Sequence, residues 1–278
     1  MPGTLYVVAT PIGNLGDLSP RASEVLRSVA VVVAEDTRRT HKLFAHLGVP
    51  APRMLALPAF EEGARLAAIV SRLLAGDDVA LCTDAGTPGV SDPGQQLVSA
   101  AWEVGARVVP VPGPCAAVAA LTASGLRSDR FFVQGFLPRK GGARADALAF
   151  LASLPATVVI YEAGNRTGET LRDLHGALGD RRAAVARELT KLHEEIARGT
   201  LADLAARFAD GARGEVTLIV EGSAPGLAQA PAEEPLEAEL ARRIAAGEGP
   251  STIAREVARA RGLKRAEVYA AVEQLKRR

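Results

Sequence analysis

The chain has 278 residues, of which 48% are apolar, 23% are charged and 4% are aromatic. This length predicts two globular units with room for an appendage, because domains usually have roughly 100–200 residues. The composition excludes a disordered or fibrous chain and a surface of repeated aromatic stacking. The 33 basic and 32 acidic residues nearly cancel, yet residues 241–278 carry ten basic and four acidic side chains, a net charge of +6.

Short β-branched runs alternate with longer segments whose apolar residues have helical spacing. The predicted strands are Leu5–Ala9, Ala30–Ala34, Val79–Thr83, Arg107–Val111, Phe131–Gln134, Val158–Tyr161, Ala183–Ala186 and Val216–Val220. Strands that alternate with crossover helices favour mainly parallel sheets, whose functional loops gather at the carboxyl ends of the strands. We therefore predict an α/β fold in two successive halves.

Two stretches mark the predicted domain boundaries. Pro110-Val-Pro-Gly-Pro114 is a rigid linker that separates an N-terminal domain, 1–112, from a second domain, 113–222. The stretch that begins at Gly222 is poor in large apolar residues, which predicts a linker over 223–235. Residues 236–278 remain as a small helical appendage.

The appendage is predicted to form three short helices, from about Leu236 to Ala246, Thr252 to Arg261 and Lys264 to Lys276, with Ser251 as an N-cap. The spacing of Ala258, Gly262 and Val268 is typical of a helix-turn-helix unit. Its basic charge indicates a polyanionic partner, most simply nucleic acid. An amphipathic helical cap with its basic side chains in water fits the same pattern.

Loops rich in glycine and proline follow three predicted strands of the first half. They are Thr10-Pro-Ile-Gly-Asn14, residues 83–94 and residues 111–117. Glycine lets a ligand approach the main chain and proline holds a loop in one conformation, so together they favour a small molecule bound through backbone contacts. Each loop alone also fits a simple turn. The GxGxxG, P-loop and GxSxG motifs do not occur, which disfavours a Rossmann dehydrogenase, a P-loop NTPase and an α/β-hydrolase.

Charged residues crowd the ends of three other strands. They follow Ala34, Tyr161 and Ala186, and each cluster combines carboxylates with basic side chains. Such a cluster serves as an ion pair, as a helix N-cap by Asp36 or Thr37, or as a site for chemistry.

Cysteine and histidine residues indicate neither a disulfide framework nor a common metal site. Cys82 and Cys115 stand 33 positions apart without a CxxC motif, and the four histidines have no HExxH or zinc-finger spacing. The N-terminus lacks a charged n-region, and no apolar stretch approaches the roughly 18 residues of a membrane span. We therefore expect a cytoplasmic protein with no membrane partner.

Several motifs occur in order from Leu5 to about Gly222. They are Ala9-Thr-Pro-Ile-Gly-Asn-Leu15, Ala34-Glu-Asp-Thr-Arg38, Asp84-Ala-Gly-Thr-Pro88, Ser91-Asp-Pro-Gly94, Pro112-Gly-Pro-Cys-Ala116, Gly135-Phe-Leu-Pro138 and Ala186-Arg-Glu-Leu-Thr-Lys191. Together they resemble the tetrapyrrole methylase-like, or class III, S-adenosylmethionine-dependent methyltransferases, and among these the enzymes of small-subunit ribosomal RNA. The resemblance implies two α/β domains with the cofactor in the cleft between them, and a homodimer. It also implies methyl transfer to the 2′-hydroxyl of a cytidine in the decoding centre, with the RNA or the 30S subunit as partner.

Positions within these motifs imply the cofactor contacts. They are Pro11, Gly86, Thr87, Val90, Cys115, Ala116, Tyr161 and Leu189. The stretch from Tyr161 to Arg166 departs from the family pattern, in which a proline or threonine and then a histidine or lysine usually precede the arginine. This departure leaves the role of Asn165 open and keeps Glu162 and Arg166 in place.

Transfer to a ribose hydroxyl requires alignment and a proton acceptor, because that hydroxyl is a poor acid. Asp36, Glu162 and Glu188 are the predicted catalytic carboxylates, unranked. Arg38, Arg166 and Lys191 are predicted to hold RNA phosphates near the cleft. Methylation of a tetrapyrrole carbon is an alternative, although a basic tail has no evident use with a porphyrinogen. A non-catalytic RNA-binding or ribosome-assembly protein is the second alternative, and it has no need of the cofactor.

Overall fold

The computed structural model describes residues 1–58, 62–223, 236–245, 248–261 and 263–276. A five-stranded sheet forms the first half. Its strands are β1 (Thr4–Val8), β2 (Val31–Ala34), β3 (Arg53–Ala56), β4 (Val79–Cys82) and β5 (Arg107–Val111). Its helices are α1 (Pro20–Ser28), α2 (Thr37–Leu47), α3 (Glu62–Leu74) and α4 (Gln95–Glu103). The strand order is β3-β2-β4-β1-β5 and every pairing is parallel, as predicted for this half.

A second five-stranded sheet follows. Its strands are β6 (Phe131–Phe136), β7 (Thr157–Ala163), β8 (Arg182–Arg187), β9 (Glu195–Thr200) and β10 (Glu215–Val220), in the order β6-β7-β10-β8-β9. Its helices are α5 (Ala116–Ser124), α6 (Gly142–Ser153), α7 (Thr167–Leu178) and α8 (Leu201–Arg207). Only β6 and β7 pair in parallel, whereas β10 runs antiparallel to both β7 and β8, and β9 antiparallel to β8. The prediction of a mainly parallel second sheet was therefore wrong, because β10 inserts between β7 and β8 in the opposite direction.

The mixed sheet still gathers loops at one edge. Because β7 and β8 are both antiparallel to β10, they run parallel to each other. The carboxyl ends of β6, β7 and β8 therefore meet at the edge where β10 begins. Side chains that follow three separate strands are brought together there.

Helices cover both faces of each sheet. All four residues of β2 are buried, as expected for a parallel strand covered on both sides. Ala117, Ala120 and Leu121 of α5 pack against the second sheet rather than the first, together with Val159 and Ile219. The chain thus crosses from one sheet to the other just after β5. Both sheets lie in one compact unit, Met1–Ala224, and we propose that 1–112 and 113–222 are two domains within it.

The predicted helical tail is a second unit, Pro225–Arg278, which contains α9 (Leu236–Ala245), α10 (Pro250–Arg261) and α11 (Arg265–Lys276). It has its own apolar core, formed by residues such as Leu240, Ile253 and Val268. The prediction that Ser251 is the N-cap was wrong, because α10 begins at Pro250, a residue suited to the first helical position. The backbone N–H groups of Thr252 and Ile253 donate to the Gly249 carbonyl instead.

Two predictions about the tail lie outside the described residues. They are the linker beyond Ser223 and the helix-turn-helix spacing through Gly262. Within the described ranges, no helix combines the length and the apolar character needed to cross a bilayer.

Candidate active site

A cavity of about 510 Å³ opens where the edges of the two sheets face each other. Loops after β1, β2, β4 and β5 form its wall on the first side. The ends of β6 and β7, the loop after β8 and the start of β10 form the wall on the other side. Eight of the residues predicted from the sequence line it: Gly86, Thr87, Val90, Cys115, Ala116, Tyr161, Glu162 and Leu189.

The three glycine-rich loops are joined by hydrogen bonds. Thr10 N donates to Gly86 O at 2.8 Å and Gly86 N donates to Thr10 O at 3.1 Å, a two-way bridge between the loops after β1 and β4. The Thr87 hydroxyl donates to Pro114 O at 3.0 Å, which joins the third loop. Gly86 has a φ of +90°, a conformation that favours glycine. The loops therefore form one preformed wall with exposed main chain.

Pro11 lies between the bridging residue Thr10 and Ile12, and Ile12 is the residue of this loop that lines the cavity. A close contact ties the same loop to the second sheet. A Cβ atom on Gly13 would lie 2.6 Å from Lys191 Cγ and 3.0 Å from Leu189 O, so only glycine fits there. The loop after β8 is thus packed directly against the loop after β1.

Two aromatic rings of the second sheet stand at the cavity. The rings of Phe136 and Tyr161 lie 5.7 Å apart, and Phe136 is 59% exposed. Burial and the neighbouring Cys115 raise the pKa of the Tyr161 hydroxyl to about 12, so it stays neutral at physiological pH. Tyr161 thus contributes an uncharged wall, and Phe136 stands at the solvent side.

Each of the three predicted catalytic carboxylates accepts hydrogen bonds from other groups of the protein. Asp36 caps α2, accepting from Arg38 N at 2.9 Å, and pairs with the Arg38 guanidinium at 2.7 Å. These bonds from Arg38 hold the pKa of Asp36 at about 2. Glu188 accepts from Lys191 Nζ at 2.9 Å, which lowers its pKa.

Glu162 lies in the cavity wall but is only 3% exposed. Its carboxylate accepts from the Thr170 hydroxyl at 2.6 Å and from Ala163 N at 2.9 Å, and Arg166 lies 3.3 Å away. This carboxylate is held from three sides, which suits a structural support of the wall.

The three basic residues predicted to hold RNA also have carboxylate partners. Arg38 pairs with Asp36, and Arg166 pairs with Glu162. Lys191 donates to Glu215 at 3.0 Å as well as to Glu188. Arg38 is nonetheless well exposed, so its outer face remains accessible to a phosphate. Their predicted contacts with RNA stay predictions.

Sequence reasoning missed four of the five carboxylates in the cavity wall, and three of these four, Glu35, Asp84 and Asp92, are partly buried. Burial is the main reason that the pKa of each is raised, to about 6 for Asp92. Asp84 pairs with Arg39 at 3.3 Å, and Arg39 also lines the cavity. All three acids stand within motifs quoted above, but nothing in one sequence distinguishes a side chain that faces the cavity from one that caps a helix.

Comparison with known proteins shows one family. The model of tetrapyrrole (corrin/porphyrin) methylases matches residues 4–205. The ribosomal RNA small subunit methyltransferase I of Xylella fastidiosa Temecula1 is 52% identical over 80% of this chain and 83% of that protein. The protein of that name from Synechocystis is 44% identical over 96% of both chains.

Solved structures share the fold at low identity. A uroporphyrin-III C-methyltransferase from Thermus thermophilus, complexed with S-adenyl homocysteine, superposes with a TM-score of 0.57 at 20% identity, over 78% of this chain and 97% of that one. A diphthine synthase superposes with a TM-score of 0.62 at 16% identity, over 79% and 90%. These structures show the shared fold alone.

Proposed function

We propose, from the premise that the chain belongs to the tetrapyrrole methylases and within them to the ribosomal RNA small subunit methyltransferase I family, that it methylates a cytidine 2′-hydroxyl in the decoding centre. S-adenosylmethionine-dependent methylation of small-subunit rRNA follows from that membership. The observation that best supports methylation of a 2′-hydroxyl is the cavity between the two sheets. Its wall combines loops with exposed main chain and several carboxylates. A hydroxyl needs such a proton acceptor.

The cavity suits S-adenosylmethionine. Its volume of about 510 Å³ lies within the range of small-molecule sites. The hydrogen bonds between Thr10 and Gly86 hold two loops together at the cavity, and Gly86 exposes main chain there. Val90, Ala116 and Leu189 add apolar surface. Burial in a wall that also holds acidic groups favours a cationic ligand, because a positive charge relieves the cost of ionising them. When bound, the cofactor supplies an activated methyl group on sulfur.

The protein's own task is to place the acceptor hydroxyl and remove its proton. The loops after β1, β4 and β5 hold the cofactor. The nucleotide binds on the opposite side of the cavity, at the carboxyl ends of β6, β7 and β8. Such alignment can supply several kcal/mol of a transfer barrier, roughly 7–11 in well-oriented reactions. Both halves are therefore needed to build one site.

The direct test is methyl transfer from labelled S-adenosylmethionine to small subunits that lack the modification. We expect 2′-O-methylcytidine after nuclease digestion and mass spectrometry, mapped to the decoding centre. A methylated base, or methyl transfer to uroporphyrinogen III but not to rRNA, would contradict the proposal. Calorimetric titration with the cofactor separates an enzyme from a purely RNA-binding assembly protein, which would show no binding.

We further propose that the protein is a homodimer in the cytoplasm, as the family resemblance implies. Light scattering on the purified protein should give twice the chain mass of 28.9 kDa. A monomeric mass at working concentration would contradict the dimer.

Two exposed basic residues that follow β6 in the sequence are suited to RNA phosphates. Arg139 and Lys140 are exposed on the loop after β6, close in sequence to Phe136, and neither has an ion-pair partner among the described residues. We expect a variant with both changed to alanine to lower the slope of log affinity against log salt by roughly one to two units, because each phosphate contact contributes roughly 0.7–0.9.

Arg127→Ala is the matched control, because Arg127 is exposed but already paired with Asp129 at 3.0 Å. Its salt slope should equal that of the wild type. The same measurement on alanine variants of Arg38, Arg166 and Lys191 tests the sequence prediction. If all three variants keep the wild-type slope of log affinity against log salt, these cations serve only the protein's own carboxylates.

The basic tail is a candidate RNA-docking module. Truncation after Ser223 retains the hydrogen bond from Ser223 N to Leu154 O and every residue of the cavity wall. We expect the affinity for S-adenosylmethionine to be nearly unchanged and the KM for the small subunit to rise. A large drop in Tm with unchanged substrate affinity would instead show that the tail only stabilises the protein.

A further inference from the structure

Five carboxylates line the cavity within the described part of the chain: Glu35, Asp84, Asp92, Glu162 and Glu215. Three of them are neutralised by cations. Glu162 is held by Arg166, Asp84 pairs with Arg39, and Glu215 accepts from Lys191. A carboxylate whose oxygens are engaged by a cation is less available to accept a proton from a substrate hydroxyl. Glu35 and Asp92 remain as acceptors.

These two acids follow different strands of the first sheet. Glu35 follows β2, which lies on the far side of β4 from β1 and β5. Asp92 lies in the loop after β4, beside Val90 and two residues before Gly94. Its charge reaches Tyr161 of the second sheet, where it contributes to the raised pKa of that hydroxyl. Asp92 therefore stands between the cofactor loops and the opposite wall.

The main chain around Asp92 is held by two close contacts. Ser91 has a φ of +64° and packs against β6, where a Cβ atom on Gly135 would lie 2.7 Å from Ser91 Oγ. On the other side, a Cβ atom on Gly94 would lie 2.7 Å from Leu81 Cδ2. These contacts place the loop between both sheets, so the main chain on both sides of Asp92 is held in place.

The charged groups that face Asp92 are chiefly acidic. Burial comes first among the causes of its raised pKa, followed by the charge of Glu35, while a hydrogen bond with the Thr83 side chain and the charge of Asp84 act in opposite directions. Arg39 lines the same cavity and pairs with Asp84. A carboxyl with a pKa of about 6 is ionised at neutral pH and is a better base than an ordinary aspartate.

We infer that Asp92 is the catalytic residue that takes the proton from the acceptor hydroxyl of the RNA. This inference rests on the proposed function. A bond forms between the ribose 2′-oxygen and the methyl carbon as the carbon–sulfur bond breaks, and that electron pair stays on sulfur. The hydroxyl proton passes to a carboxylate oxygen of Asp92 and is later released to water. No oxidant or further reactant is required.

The test compares Asp92→Asn, Asp92→Glu and the wild type in single-turnover methyl transfer to small subunits, with cofactor saturating. We expect Asp92→Asn to react about 100-fold more slowly or worse, because a positioned base contributes roughly that much. Asp92→Glu should regain part of the rate, since it keeps a carboxylate. The wild-type kcat/KM should rise with pH through about 6, and the Asn variant should show no such rise. Asp129→Asn, an exposed acid paired with Arg127, is the control for loss of one carboxylate.

Two measurements that do not depend on activity complete the test. The 13C carboxyl resonance of Asp92, identified by its loss in Asp92→Asn, should titrate near pH 6, and titration below pH 4 would overturn the inference. The folded state raises this pKa, so its stabilising contribution is present at low pH and is lost as pH rises through about 6. The Tm of Asp92→Asn should therefore match or exceed that of the wild type at pH 8.

The outcomes separate this inference from the proposed function. A wild-type enzyme that methylates no rRNA hydroxyl overturns both. An active wild type with an equally fast Asp92→Asn variant overturns only the role of Asp92. A rate loss that appears in Glu35→Gln instead, or one explained fully by a higher Kd for S-adenosylmethionine, also overturns it.

Discussion

Replacement of Gly86 by leucine is expected to abolish S-adenosylmethionine binding, with a Kd at least about 100-fold higher. The φ of +90° at Gly86 costs a side-chain-bearing residue roughly 1–2 kcal/mol. The added side chain would also project beside Ile12 and Pro114, since a Cβ atom there lies 3.5 Å from Ile12 Cγ2 and 3.8 Å from Pro114 O. Both residues belong to the loops that are joined to Gly86. Calorimetry on the folded variant measures the effect.

Gly89→Leu provides the matched control. Gly89 lies in the same loop with a φ of +81°, so the backbone strain is similar, but beyond its two chain neighbours no atom of the described residues lies within 4 Å of its added Cβ. We expect this variant to bind the cofactor with little change. Equal losses in the two variants would indicate that loop strain and not occupation of the cavity weakens binding, and an unchanged Kd for Gly86→Leu would count against the assignment of the site.

Loss of Arg144 is expected to give the largest destabilisation. Arg144 is buried, pairs with Asp173 at 2.8 Å and donates to Pro138 O at 2.9 Å and to Thr170 Oγ1 at 3.0 Å. Thr170 in turn donates to Glu162 in the cavity wall. Arg144→Met removes three hydrogen bonds of a buried cation, while Asp173 is 38% exposed and can be solvated, so the free energy of unfolding should fall by about 2–4 kcal/mol. Chemical denaturation followed by circular dichroism measures this change.

An exposed arginine gives the comparison. Arg182 pairs with Glu221, but its side chain is 63% exposed, so Arg182→Met should cost under about 1 kcal/mol. Similar losses in the two variants would contradict a special contribution from the Arg144 network. Since Arg144 also fixes the loop that bears Arg139 and Lys140, its loss should weaken RNA binding in the surviving folded fraction.

Two sets of acidic groups have opposite effects on stability. Asp36 and Glu188 have lowered pKa values because of Arg38 and Lys191, so they stabilise the fold above their ordinary pKa and lose that contribution on acidification. Glu35, Asp84 and Asp92 have raised pKa values, chiefly through burial, so their ionisation opposes folding as pH rises. The second set lies in the cavity wall, where a functional site tolerates such a cost.

The strands that sequence reasoning missed lie at sheet edges. β3 contains the exposed Arg53, and β9 contains Glu195 and Arg198 among few apolar residues. Edge strands have one unpaired side and often carry charges, so their apolar alternation is weak. The eight predicted strands, by contrast, carry the β-branched and apolar runs that strands favour.

The alternating elements, the glycine-rich loops and the family can be predicted from the sequence, because they depend on local patterns and on motifs a few residues long. Which carboxylates face the cavity depends instead on how the two sheets pack. Asp36 N donates to Asp84 Oδ1 across 48 positions of sequence, while the Asp36 carboxylate turns to its own helix. Adjacent acids such as Glu35 and Asp36 thus have opposite surroundings. The packing of the two sheets decides which side chains, distant in sequence, come to lie beside a charged group. The spacing of residues along the chain does not show which of them will be neighbours.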